Sequence, residues 1–315
     1  MVSQSSARDM AARDKLHRET DRRWTRLERQ HPELAETISY GRRLVALFID
    51  ERPVAPPFAL TIEQARAKLT IGSPLLDDEA LELDLPALRH FAILLCAWAG
   101  EQELLAPAAS AIAQALVADT LAIEDLLGVA TSDDVAMTAA LATRLTLDPA
   151  LLATVAALTL SAGLMGLAQE LTLFLREAAI QWDMPHCPIC GGVPLLAELE
   201  GSGGERMLRC ATCGGGWRIL ISQCAHCGTN DSAALHYLAA EGDEGKYRID
   251  LCERCRGAMK GVATFAATPP ELLLIEDTAL LHLLHEAEAR GYTTTPAIEY
   301  LHTPGEPPVT PPLAG

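Results

Sequence analysis

Four Cys-x-x-Cys pairs within 69 residues constrain this chain more than any other feature of its sequence; they are Cys187/Cys190, Cys210/Cys213, Cys224/Cys227 and Cys252/Cys255. Two thiolates separated by two residues on a tight turn supply two ligands of one tetrahedral metal site. Four pairs therefore predict two complete four-cysteine metal sites. Because four sulfurs close the coordination shell, substrate has no open position, and we expect no hydrolytic catalysis by these ions.

The spacing of the pairs predicts how they combine. Stretches of 19, 10 and 24 residues separate successive pairs, and glycine-rich turns lie within the two long ones, at 201–204 and 242–245. Strand-like sequence flanks these turns, at 193–200, 207–209, 234–239 and 247–251. Each half thus reads as pair, strand, turn, strand, pair, and the second half repeats the first. We predict that Cys187, Cys190, Cys210 and Cys213 hold one ion and that Cys224, Cys227, Cys252 and Cys255 hold the other. An interleaved cross-brace stays open as the alternative.

The residues alone leave the metal open, because four sulfurs in a tetrahedron suit iron and zinc equally well. Three pairs continue into a glycine, at Gly191, Gly214 and Gly228, which is typical of a rubredoxin-like or zinc-ribbon knuckle. A disulfide framework fits less well because the chain has an odd ninth cysteine and no apparent secretory signal. An iron–sulfur cluster and a thioredoxin-type dithiol also fit less well, because the pairs lack ferredoxin spacing and form a repeat. The ninth cysteine, Cys96, lies in an apolar helical run and is predicted to be a buried structural thiol.

Composition divides the chain into a helical part and a cysteine-rich part. Residues up to about 183 contain one cysteine and long Ala/Leu-rich stretches, and the remainder holds the other eight cysteines. We predict an α+β fold with an N-terminal all-α helical bundle (1–183), two tandem rubredoxin-like or zinc-ribbon modules (184–266), a C-terminal helix (267–291) and an extended, partly disordered proline-rich tail (292–315). Bundle helices are predicted at 9–30, 32–49, 86–100, 103–118, 132–146 and 149–181, and a capping box at Thr61 and Gln64 starts another.

Residues 149–169 carry no charged side chain and meet the length criterion for a membrane span. The stretch is rich in alanine and contains threonine, serine and glycine, so its hydrophobicity is modest. Asp148 followed by Pro149 is a typical start of a helix in a globular protein. We therefore predict a buried central helix and no membrane span.

The charge of the chain bears on its partners and compartment. A net charge of −17 disfavours a nucleic-acid partner despite the zinc-ribbon pattern, because phosphate binding needs a basic surface. Thiolate metal sites and a charged amino terminus predict a cytoplasmic protein.

The cysteine-rich half resembles the FdhE family of formate dehydrogenase accessory proteins. The resemblance rests on the runs Cys187-Pro-Ile-Cys-Gly, Leu208-Arg-Cys-Ala-Thr-Cys with Trp217 shortly after, Cys224-Ala-His-Cys with Leu235-His-Tyr, and Cys252-Glu-Arg-Cys before a Leu-rich helix. It implies a cytoplasmic, non-enzymatic protein with iron as the favoured ion in two rubredoxin-like sites. It also implies binding to the catalytic subunit of a respiratory formate dehydrogenase, which needs the protein to become active. The Gly214-Gly-Gly run and the proline-rich tail depart from the family pattern.

Two further functions stay open from the sequence. A rubredoxin-like electron-transfer protein would use the same irons, but electron transfer needs about 50 residues and no helical domain of this size. A zinc-ribbon adaptor is the other, and the acidic charge disfavours its nucleic-acid form. The sequence leaves a homo-oligomer open.

Overall fold

The computed structural model describes residues 2–79, 81–131, 135–180, 182–201, 204–240 and 245–296, and the predictions for the tail beyond 296 lie outside these residues. Helices precede a single sheet that two short helices follow, so the predicted α+β class is confirmed. The helices are α1 (Val2–Gln30), α2 (Ala35–Glu51), α3 (Ile62–Thr70), α4 (Leu85–Ala99), α5 (Ala106–Val117), α6 (Ile123–Thr131), α7 (Val135–Leu145), α8 (Pro149–Glu177), α9 (Leu273–Ala279) and α10 (Leu281–Ala289). The strands are β1 (Pro194–Glu200), β2 (Glu205–Cys210), β3 (Gly216–Ile219), β4 (Leu235–Leu238), β5 (Tyr247–Cys252) and β6 (Ala258–Thr264).

Local signals in the sequence set several helix starts. The predicted capping box is present, with Thr61 accepting from the Gln64 backbone and the Gln64 side chain accepting from the Thr61 backbone. Asp148 caps α8 through the Leu151 N–H, as predicted. The sequence analysis missed α6, although the carboxylates of Glu124 and Asp125 mark its first turn.

The predicted single C-terminal helix is wrong, because the structure breaks it into α9 and α10 at Leu280. Leu280 is fully buried, and so are Ala279 before it and Leu283 after it. Leu280 has φ −95° and ψ 0° at the junction, and both short helices contribute buried side chains to the same core.

Helix α8 is the one helix in the described residues that is long and apolar enough to cross a membrane. Of its apolar 18-residue stretch, 61% is buried inside the protein. It packs against α4 and α6. Its glycines allow close approach: a Cβ at Gly163 would lie 3.2 Å from Leu88 Cδ2, and one at Gly166 would lie 2.9 Å from Ala55 Cβ. The helix therefore forms the centre of the helical part, as the sequence predicts.

The sheet has six strands in the order β3-β2-β1-β6-β5-β4. Within each half the strands pair antiparallel, and the two halves join through a parallel pairing of β1 with β6 that matches Ala197 with Gly261. Four strands lie where the sequence predicts them, whereas β3 and β6 were missed. Each half is thus a three-stranded unit that carries one Cys pair before its first strand and one between its second and third.

Helices and metal-site loops cover both faces of this sheet. Ala197, Leu208 and Trp217 share one buried cluster with α4, α6 and α8. Leu196 and Ile249, on the opposite face, share another with α1, α2, α9 and α10. Both clusters cross the boundary predicted at residue 183, so the helical part and the metal modules share their cores. The four-part division of the chain stays a prediction.

Candidate metal centres

The eight paired cysteines form two groups, combined as the spacing predicts and not interleaved. In each group the four sulfurs lie within 4.8 Å of one another. Sγ–Sγ distances are 3.7 Å for Cys187–Cys213 and 3.5 Å for Cys190–Cys210, and in the second group 3.7 Å for Cys224–Cys255 and 3.9 Å for Cys227–Cys252. Four sulfurs at metal–sulfur bonds of about 2.3 Å in a tetrahedron would lie about 3.8 Å apart. We call these the first and second four-cysteine groups; both could hold a metal ion.

The knuckles that carry the sulfurs follow from local backbone geometry. Gly191, Gly214 and Gly228 have φ of +77°, +71° and +70°, and each donates its N–H to the carbonyl of the first cysteine in its pair. Glycine adopts this left-handed conformation without steric cost. The fourth knuckle has Arg256 in the equivalent place, also at positive φ (56°). The same turn therefore forms at all four pairs, including the one that lacks the glycine.

Backbone N–H groups also point at sulfur. The N–H of Ile189 lies 3.4 Å from Cys187 Sγ, that of Thr212 lies 3.3 Å from Cys210 Sγ, and that of His226 lies 3.4 Å from Cys224 Sγ. Such hydrogen bonds favour the thiolate form and orient it toward a bound cation.

The first group lies inside the fold. Cys187, Cys210 and Cys213 are buried in the same apolar cluster as α8, and Cys190 is half-buried and packs against that cluster. The segment before α4 pairs with the first knuckle through the Leu75 N–H, which donates to the Pro188 carbonyl at 2.8 Å. Helix α8 reaches the second knuckle where Thr172 Oγ1 accepts from the Gly216 N–H at 3.0 Å. Two segments of the helical part thus contact the two knuckles of this group.

The second group lies closer to solvent. Cys224 and Cys252 are buried, but Cys227 and Cys255 are half-buried. A cavity of about 220 Å³ adjoins it and is lined by Cys224, Cys252, Arg206, Asp250 and Tyr237, among others. The two groups therefore share their ligand geometry and differ in accessibility.

The electrostatics of the thiols favour a bound cation. Hydrogen bonds from Cys187 and its neighbours hold the pKa of Cys210 well below its ordinary value, whereas burial raises the pKa of Cys187. Burial also raises the pKa of Cys227 to about 11. Ionising one sulfur of a group thus opposes ionisation of the others, and a divalent ion would remove this repulsion. The all-sulfur ligand set suits iron or zinc.

Two buried arginines of β2 accompany the groups, and sequence reasoning missed both. Arg206 lies beside the second group and donates to the Gln223 carbonyl at 2.6 Å and to Asp250 at 2.8 Å. Arg209 lies beside the first group and donates to the Gly214 carbonyl at 2.8 Å and to Glu198 at 2.6 Å. An arginine in a strand usually indicates a solvent-facing position, so the only available signal was their proximity to Cys210 in sequence.

Cys96 takes no part in either group. It is 2% exposed within the helical core, and burial raises the pKa of its thiol to about 12. The predicted structural role of this cysteine is confirmed by its position.

Comparison with known proteins finds similarity to FdhE proteins, which the cysteine pattern also resembles. The chain is 31% identical over 108 residues to a protein FdhE homolog of Haemophilus ducreyi, which is 34% of each chain. It is 26% identical over 123 residues to protein FdhE of Salmonella paratyphi A, which is 38% of each chain. The crystal structure of the FdhE protein from Pseudomonas aeruginosa matches with a TM-score of 0.52 and 20% identity over 91% of this chain and 93% of that one.

The resemblance to FdhE is confirmed. The sequence alignments span about a third of the curated FdhE relatives. The structural likeness to the Pseudomonas FdhE extends over nearly the whole of both chains. Because the two sequences are only 20% identical, this likeness shows a shared fold. No family model matches the chain.

Proposed function

We propose that this chain is an accessory factor that binds the catalytic subunit of a respiratory formate dehydrogenase in the cytoplasm and supports its activation. It does so with a metal ion, iron favoured, on each four-cysteine group. The observation that carries the proposal is the pair of groups with closed four-sulfur geometry in a chain that resembles FdhE. A closed shell leaves no position for substrate at either ion, which supports a binding role and not turnover.

The charge of the chain fits a protein partner. A net charge of −17 favours a client with a basic surface, and attraction of this kind speeds association and weakens as salt rises. The large helical part also favours an assembly role, because it offers far more surface than a small electron carrier needs.

Genetic complementation tests the function. Deleting the gene should remove respiratory formate dehydrogenase activity while the catalytic polypeptide is still made, and the wild-type chain should restore it. Cys252→Ser should fail to restore activity, and Cys96→Ala should succeed because Cys96 lies outside both groups. Co-purification of the catalytic subunit with the wild-type chain should decrease as salt is raised. Normal enzyme activity in the deletion strain would refute the proposal.

Elemental analysis tests the metal content. Protein purified without chelator should hold two ions per chain, and Cys187→Ser and Cys252→Ser should each remove one. Visible absorption identifies ferric four-thiolate sites, since zinc sites are colourless. A count of eight reactive thiols in the native protein would contradict metal binding.

A further inference from the structure

We propose that the two four-cysteine groups have different tasks: the first is a permanent structural centre, and the second exchanges its metal with ligands from outside, with Arg206 as the positioning residue. This deepens the proposed function and rests only on its assignment of both groups as metal sites. Three observations carry it: the enclosure of the first group, the access to the second, and the bonds of Arg206.

The first group is enclosed by parts of the chain that are far apart in sequence. Three of its four cysteines are buried, with Cys187 and Cys213 0% exposed and Cys210 1% exposed, whereas Cys190 is half-buried. A Cβ at Gly214 would lie 2.7 Å from Pro270, and one at Gly215 would lie 2.7 Å from Ile189, so neighbouring segments press directly on this knuckle. An incoming ligand could reach the three buried sulfurs only if the shared core opened, which makes release slow.

The second group is accessible from two sides. Cys227 and Cys255 are half-buried at the surface. The adjoining cavity of about 220 Å³ reaches the other two sulfurs, and its rim carries the exposed side chains of Ile221 (57%) and Tyr237 (64%). A water molecule needs about 30 Å³, so the cavity has room for a small chelating or thiol ligand. Exchange then proceeds by substitution: a bond from the metal to the incoming donor forms, one metal–sulfur bond breaks, and the released thiolate takes a proton from water.

Arg206 joins the two knuckles of the second group. Its side chain is 2% exposed, and it donates to the carbonyl of Gln223, the residue before Cys224. The other terminal nitrogen of Arg206 donates to the carboxylate of Asp250, which lies two residues before Cys252. One guanidinium therefore fixes the relative position of two sulfurs from different knuckles. Its charge also offsets the net negative charge of a dication on four thiolates.

Asp250 is itself held in place, because Arg248 Nε lies 2.8 Å from its other carboxylate oxygen. Arg206 belongs to β2, the strand that ends at Cys210 of the first group. The strand that carries Cys210 of the first four-cysteine group therefore also carries Arg206, which positions the knuckles of the second group.

Release of zinc from the full chain tests the proposal. The protein is loaded with two zinc ions and mixed with 4-(2-pyridylazo)resorcinol, which absorbs visibly when it binds zinc. We expect a fast and a slow phase of one ion each. Cys255→Ser should remove the fast phase and keep the slow one. Arg206→Met should speed the fast phase by about 10-fold or more and leave the slow phase unchanged, because outer partners of metal ligands typically contribute about 10- to 100-fold in affinity.

Arg218→Met is the matched control, because Arg218 is an arginine on the neighbouring strand whose side chain is 70% exposed and pairs with Glu205 at the surface. It should change neither phase. Arg206→Lys keeps the charge and loses the forked geometry, so it should give an intermediate rate and serves if Arg206→Met fails to fold by circular dichroism. Equal release from both groups, loss of the slow phase in Cys255→Ser, or acceleration of both phases by the Arg206 variants would overturn the proposal. The assay contains no formate dehydrogenase, so its outcome is independent of partner binding.

Discussion

At the scale of single residues, two buried charged side chains of the sheet, Arg209 and Glu198, fix the backbone beside the first four-cysteine group. Arg209 and Glu198 are 6% and 0% exposed, and Arg209 also donates to the carbonyls of Gly214 and Thr268. Glu198 accepts a further bond from the Thr268 N–H at 2.9 Å. Each partner therefore compensates a charge that would otherwise be buried alone.

We expect Glu198→Gln to lower the free energy of unfolding by about 3–5 kcal/mol, because the Arg209 charge would stay buried without its counter-ion. Glu205→Gln is the matched control: it breaks the exposed Arg218–Glu205 pair, which is worth about 0–1 kcal/mol. Urea unfolding of the metal-loaded protein measures both. Equal effects of the two variants would show that the buried pair contributes no more to the free energy of unfolding than the exposed pair does.

Cys96 provides a test of burial through pH. Its thiol pKa is raised by burial from 9.0 to about 12. Well below pH 9 the Cys96 thiol is protonated in both the folded and the unfolded protein. As the pH rises further, the thiol ionises first in the unfolded protein, so the folded protein loses stability. Between about pH 8 and about pH 10.5 the wild type should lose on the order of 1–2 kcal/mol more than Cys96→Ala. Parallel stability curves for the two proteins would contradict the buried position of this thiol.

At the scale of elements, helix α8 shows how small residues allow close packing in the centre of the helical part. Its glycines face Leu88 of α4 and Ala55 of the segment between α2 and α3. A helix glycine normally lowers stability because it is flexible in the unfolded chain, but a Cβ at either position would crowd the neighbouring segment.

We expect opposite results from alanine at two helix glycines. Gly166→Ala should destabilise by about 1–3 kcal/mol, because its Cβ would lie 2.9 Å from Ala55 Cβ. Gly128→Ala in α6 should stabilise by about 0.5–1 kcal/mol, since a Cβ there meets nothing within 4 Å. Thermal unfolding followed by circular dichroism measures both. A gain in stability at Gly166 would mean that α8 does not approach this segment closely.

At the scale of the whole molecule, the metal modules and the helices are parts of one packing arrangement. Cys187, Ile189 and Trp217 lie in the cluster that contains α8, and the strand residue Ile249 lies in the cluster that contains Trp24 of α1. Composition alone favours a helical bundle that folds independently of the modules. The shared cores argue against that independence.

We expect Cys187→Ser to lower the midpoint of thermal unfolding for the helices as well as for the sheet, because a metal site contributes folding free energy to the core that contains it. Far-UV circular dichroism reports the helices, and tryptophan fluorescence reports Trp217 near the first centre together with the tryptophans of the helical part. Both signals should change in one shared transition. An unchanged helical transition beside a lost fluorescence transition would show that the two parts fold separately.

Short-range patterns in the sequence determined the local features of this protein. The Cys-x-x-Cys spacing defines each knuckle, because two ligands of one ion must lie within a single turn. The order of pairs along two hairpins determined which sulfurs meet, and the structure groups them accordingly. Helix starts at Thr61 and Asp148 depend on side chains three residues or fewer from the backbone groups they satisfy, so they too could be predicted.

Only the tertiary structure decided the features that depend on contacts between distant segments. The parallel pairing of β1 with β6 joins residues more than 60 positions apart, and no local pattern specifies it. The burial of Arg206 and Arg209 depends on partners such as Asp250 and Glu198 that only the folded sheet brings near. The two four-cysteine groups have the same sequence pattern, yet the first has three buried cysteines and the second has two beside a cavity. Accessibility is set by the segments that pack around a site and not by the ligands that form it.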